Sequence, residues 1–175
     1  TNANLQNIKT IDAHASGSTL DLTNQTENYT INGAGAVDDL TGGGGNDIIT
    51  GKAGDDTLKG GAGNDTFNVD SGTDSITDLG GSGAGGESDI LKVSGGAIAN
   101  AINIKSFTAT SDTKNDPTSA SNAILKAKDG SDVTIDVSKA TGSSGAFKLV
   151  GGTGKDTLTG GAGADIITGG DDIDT

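Results

Sequence analysis

Aspartate recurs every ninth residue through the first half of the chain, at Asp38, Asp47, Asp56, Asp65 and Asp74, and the spacing returns at Asp156, Asp165 and Asp174. Glycines precede it at two fixed places: Gly42 and Gly45, Gly51 and Gly54, Gly60 and Gly63, then Gly151 and Gly154, Gly160 and Gly163. Carboxylates stacked at a fixed period repel one another unless a cation sits among them. Glycine turns reach backbone angles that a Cβ forbids, so their carbonyl oxygens can point inward and converge. A set of carboxylate and carbonyl oxygens, with no Cys or His at these places, is a hard donor set suited to six- to eight-coordinate Ca²⁺. Zinc would ask for nitrogen or sulfur.

Something must stack these turns in register. Between them lie short strand-like pieces such as Asp47-Ile48-Ile49-Thr50 and Asp56-Thr57-Leu58-Lys59. Counting by nines also gives Leu22, Ile31, Leu40, Ile49, Leu58, Phe67 and Ile76, an unbroken apolar series. Alternate side chains of a strand share a face, so these residues are expected to point inward as one column. With two nonapeptides per turn of the coil, an ion is shared by turns eighteen residues apart, pairing Asp38 with Asp56, Asp47 with Asp65, and Asp56 with Asp74.

Composition agrees with an elongated, metal-assisted body. The 175 residues include 31 Gly, no Trp, Met or Cys, and only 2% aromatics, too little apolar bulk for a large globular core. Disulfides contribute nothing. The formal net charge is −13, with 22 Asp, 2 Glu and 11 Lys but no Arg, which argues against nucleic acid and anionic membranes as partners. No apolar run is long enough for membrane insertion. The chain opens at Thr1 without Met or a signal-peptide pattern and stops inside a repeat, which reads as a piece of a longer protein.

In order along the chain, residues 1–32 alternate apolar and polar (Leu5, Ile8, Ile11, Leu20, Leu22, Tyr29, Ile31) and read as β-helix rungs without metal. Residues 33–94 form a first repeat block, closed by a terminating unit in which Ile76, Leu79, Ile90, Leu91 and Val93 cap the column; 80–87 is a glycine-rich loop. Residues 95–150 are a β-rich insert. Within it 102–107 alternates like one strand and 110–122, with Pro117, is a loop. Asp129-Gly130 is a hairpin signal between 123–127 and 133–137. Residues 151–175 are a second, truncated block. Thr41–Gly51 and Thr159–Gly169 differ at only two places, which suggests a unit of about 120 residues repeated in tandem.

These motifs closely resemble the RTX (repeats-in-toxin) family, whose pattern GGxGxDxUx is met by GGGGNDIIT, GGAGNDTFN, GGTGKDTLT and GGAGADIIT; GKAGDDTLK departs only at Lys52. The resemblance implies an all-β, right-handed parallel β-roll, export by a type I system and folding triggered by extracellular calcium. It also implies several Ca²⁺ ions. Each would be held by the sixth-position Asp (Asp38, Asp47, Asp56, Asp65, Asp74, Asp156, Asp165, Asp174) and by carbonyls near Gly42, Gly45, Gly51, Gly54, Gly60, Gly63, Gly151, Gly154, Gly160 and Gly163.

An enzyme is not expected. His14 is the sole histidine and reads as a surface or stacking residue, and no nucleophile motif accompanies it. The composition and the tandem repeat favour a structural segment of a secreted bacterial surface protein, S-layer-like or adhesin-like, self-associating through calcium, with Glu27, Glu87, Asp112 and Asp116 as candidate bridges. The alternative is the secretion and folding module of a type I-secreted enzyme or toxin.

Overall fold

The computed structural model describes residues 7–81, 88–117, 123–142 and 146–175. The expectations placed on Leu5, on Glu87 and most of the 80–87 loop, and on 118–122 lie outside the described residues. Within them the chain is all-β, with no helix and with every strand pair parallel. Eight strands come first: β1 Thr10–Asp12, β2 Thr19–Asp21, β3 Thr30–Asn32, β4 Asp39–Gly43, β5 Ile48–Thr50, β6 Thr57–Gly61, β7 Thr66–Val69 and β8 Thr73–Ile76. Odd-numbered strands stack into one sheet and even-numbered strands into another, so the chain alternates between two faces of a coil.

Register is the physical content of the nine-residue period. Leu40 pairs with Leu58 and Leu58 with Ile76, while on the other face Ile31 pairs with Ile49 and Ile49 with Phe67, each eighteen residues on. All these side chains are fully buried, and burial of such a side chain contributes roughly 1.5–3 kcal/mol. The first coil departs from the count. Thr10 pairs with Thr30 and Leu20 with Leu40, a spacing of twenty, so Leu20 rather than Leu22 stands opposite Leu40. The longer connection between β2 and β3 absorbs the difference, and Leu22 is buried just beyond the end of β2.

Both sheets run on past Val93. The later strands are β9 Ile90–Gly95, β10 Ile98–Ile104, β11 Ser106–Thr108, β12 Lys114–Pro117, β13 Ala123–Ala127, β14 Thr134–Asp136, β15 Phe147–Thr153, β16 Thr157–Thr159 and β17 Ile166–Asp171. The first sheet ends at β12, while the eight-stranded sheet continues from β2 to β17 without a break. A third sheet, β11-β14-β16, opens beside it. The coil is therefore two-sided at first, three-sided through β9–β14, and two-sided again with a different second face.

Three expectations for this region are corrected. Residues 102–107 are not one strand: the chain bends between β10 and β11, beside a register shift and Asn103 at φ +59°. Lys114–Pro117, inside the expected loop, is an edge strand, where a missing N–H is tolerated. The segments flanking Asp129-Gly130 lie in different sheets, so this dipeptide turns a corner of the coil instead of closing a hairpin. A hairpin signal encodes only a tight reversal. Where each flanking segment has a parallel partner one coil away, those pairings decide the topology.

Candidate metal centre

Asp38, Asp47, Asp56, Asp65, Asp156 and Asp165 each stand immediately before a strand and Asp74 is the second residue of β8; the repeated aspartates are tied to the rung before them. Asp47 Oδ1 accepts the Tyr29 N–H (2.7 Å), Asp56 Oδ1 that of Asp38 (2.8 Å), Asp65 Oδ1 that of Asp47 (2.8 Å) and Asp74 Oδ1 that of Asp56 (3.1 Å). The pairings expected from the spacing of eighteen are thus present as backbone-to-carboxylate bonds. In the second block Val133, Phe147 and Asp156 donate likewise to Asp156, Asp165 and Asp174.

The other oxygen is what a metal would use. Asp38, Asp47, Asp56, Asp65, Asp74 and Asp156 are at most 1% exposed. Asp47 Oδ2, Asp56 Oδ2, Asp74 Oδ2 and Asp156 Oδ2 are buried with no hydrogen-bond partner. An unsatisfied buried carboxylate oxygen is costly. Burial pushes Asp65 up to about 8 and Asp74 up to about 7, with neighbouring carboxylates adding to it. Burial also raises Asp47, Asp56 and Asp156. Without a cation these sites favour protonation.

The glycines show where the cation has room. A Cβ on Gly42 would meet Asp47 Oδ2 and, at 2.5 Å, the Gly60 carbonyl; one on Gly33 would meet the Gly51 carbonyl and Asp38 Oδ2 (2.8 Å). Gly151 repeats this with the Gly169 carbonyl and Asp156 Oδ2 (2.5 Å), and Gly160 and Gly169 face Asp165 Oδ2 and Asp174 Oδ2. Each cradle is thus a space that a side chain would fill, bounded at Gly33, Gly42 and Gly151 by carboxylate and carbonyl oxygen and at Gly160 and Gly169 by the carboxylate. Among the described residues no three His, Cys, Asp or Glu side chains gather as a metal site, so any ion here needs carbonyls in its shell. That oxygen-only donor set fits calcium.

The fourth-position glycines have a different reason. Gly54 (φ +136°) lies where a Cβ would strike the Ala36 carbonyl at 2.6 Å, and Gly45 and Gly63 are likewise pressed against carbonyls of the coil before. They permit close stacking of turns. Lys52, at a glycine position, carries φ +68°. Asp165 and Asp174, on the last coil, are half-buried, and His14 is exposed with its Nδ1 3.1 Å from Ser16 Oγ.

Four residues of this arrangement were not named from the sequence. Gly33 and Gly169 lie eighteen residues from Gly51 and Gly151 and could have been found by counting. Asp89 could not: it accepts the Asp65 N–H (2.9 Å) across 24 residues, and its Oδ2 accepts the Gly80 N–H (2.7 Å). Asp78 accepts from both Gly60 (3.0 Å) and Gly61 (2.9 Å).

The Gly42 cradle yields a direct test. Gly42→Ala is expected to abolish calcium uptake at its turn and lower the melting temperature in calcium. Gly35→Ala, where an added Cβ meets nothing within 4 Å, should stay within about 0.5 kcal/mol of the parent. Equal melting temperatures for the two variants in calcium would refute the cradle.

Residues 41–76 and 141–175 match the family model described as the RTX calcium-binding nonapeptide repeat, in four copies. Asp38 lies just outside the first match. No curated protein and no solved structure matches the chain. With the repeat spacing, the parallel coil and the oxygen-lined cradles in place, these two stretches are RTX calcium-binding nonapeptide repeats.

Proposed function

We propose that the chain is a calcium-stiffened structural segment of a secreted bacterial surface protein, S-layer-like or adhesin-like, that folds and assembles on extracellular calcium. The RTX β-roll is a calcium-binding structural fold. The ions are assigned to Asp38, Asp47, Asp56, Asp65, Asp74, Asp156, Asp165 and Asp174 with carbonyls of the glycine turns. The observation that carries the scaffold reading is the eight-stranded sheet, which passes through both repeat blocks and the segment between them. A continuous rod suits a repetitive surface layer, in which calcium also screens the repulsion between neighbours of net charge −13.

The buried carboxylate oxygens without a hydrogen-bond partner favour a second reading, as the secretion and folding module of a type I-secreted enzyme or toxin. Extracellular calcium modules commonly bind at about 10⁻⁴ to 10⁻³ M, so such a fold stays open in the cytosol and closes outside. Electron microscopy separates the two. Under the scaffold reading, millimolar calcium should produce a lattice or filament that dissolves in EGTA; isolated rods in calcium that are lost in EGTA would favour the secretion module.

A further inference from the structure

The cradles are not equivalent. At Gly33, Gly42 and Gly151 an added Cβ would meet one carboxylate oxygen and the carbonyl of the glycine eighteen residues on. At Gly51 it would meet two carboxylate oxygens instead, Asp56 Oδ2 and, at 2.8 Å, Asp74 Oδ2, with no carbonyl among the nearest atoms. Both oxygens lack a hydrogen-bond partner, and their residues are 1% and 0% exposed.

The sequence explains the exchange. Eighteen residues after Gly51 stands Val69, not glycine. It closes β7, pairs with Val93 and is wholly buried. The turn that has lost most of its glycines is therefore the one that presents a second carboxylate where the Gly33, Gly42 and Gly151 cradles present a carbonyl. Calcium affinity is tuned by the number of charged ligands. Two anionic oxygens facing one space also repel until a cation enters.

We propose that the ion held between Asp56 and Asp74 is the tightest bound in the roll and the first to be taken up. The inference rests on the reading of these turns as calcium sites and ranks them. It is tested by isothermal titration of calcium into the full chain, its D74N variant and its D47N variant. D74N should weaken the tightest step about tenfold or more, whereas D47N should leave that step intact and remove a weaker one. If D47N removes the tightest step, or D74N leaves it unchanged, the ranking is wrong although the sites stand. Absence of calcium uptake by the parent chain would overturn the calcium reading itself.

Should D74N fail to fold in calcium, hydrogen exchange on the parent chain with one equivalent of calcium decides the matter. Protection is expected first at residues 51–56 and 69–74. First protection at 42–47 or 151–156 would overturn the proposal.

Discussion

In chelator at neutral pH the chain is expected to lose most of its far-UV β signal, and to regain it, still without metal, as the pH is lowered toward about 4. The sign follows from the buried carboxylates. Asp65 and Asp74 are raised from 3.8 to about 8 and about 7, so between those values the folded state holds protons that the unfolded chain has released. Their contribution to the metal-free fold is complete below about pH 3.8 and is lost as the pH rises through the folded values. One pKa unit is about 1.4 kcal/mol, so two such groups act on the scale of a domain's whole stability. With calcium assigned to these aspartates, the ion is expected to take the place of the protons at neutral pH. Circular dichroism in EGTA from about pH 4 to 8 measures this. A spectrum indifferent to EGTA at neutral pH, or a signal that weakens on acidification, would contradict the account.

Asp47→Asn is expected to act with opposite sign in the two conditions. With calcium it removes a charged ligand; for a site filled at a hundredfold excess over Kd, the lost binding amounts to about 2.7 kcal/mol. Without calcium it replaces a buried charge, one oxygen of which has no hydrogen-bond partner, by a neutral amide whose oxygen can still accept the Tyr29 N–H. The calcium-loaded melting temperature should therefore fall while the pH midpoint of unfolding in EGTA shifts upward. Changes of the same sign in both would mean that Asp47 acts only through ordinary hydrogen bonding.

Where the chain keeps a strict period, the sequence could be read residue by residue. Leu40, Ile49, Leu58, Phe67 and Ile76 are the column that counting by nines predicts, and the aspartate pairs follow the spacing of eighteen because strand register and turn length are then one quantity. Once turn lengths vary, register can no longer be counted. Ala99 pairs with Ala123 and Ser106 with Thr134, spacings that no periodic pattern announces. The change of face between β9 and β14 was illegible for that reason. Even near-identical sequence misleads: Ile49 pairs within the first sheet, whereas its counterpart Ile167 pairs with Leu149 in the eight-stranded sheet. A nonapeptide specifies a turn and a strand, and its neighbours decide which side of the coil it occupies.

The three-sided stretch from β9 to β14 also bears on how the rod would respond to load. Among the described residues its interior includes Ala97, Ala99, Ala101, Ile104, Phe107, Leu125 and Ile135, with Thr113 and Asn115 as buried polar residues beyond Asp89, and no ladder of buried aspartates runs through them. Pulled end to end while calcium is scarce, the rod would soften first at its two repeat-bearing flanks. The stretch between them, held by its apolar interior and its strand ladders, would yield at a force that the ion concentration does not set.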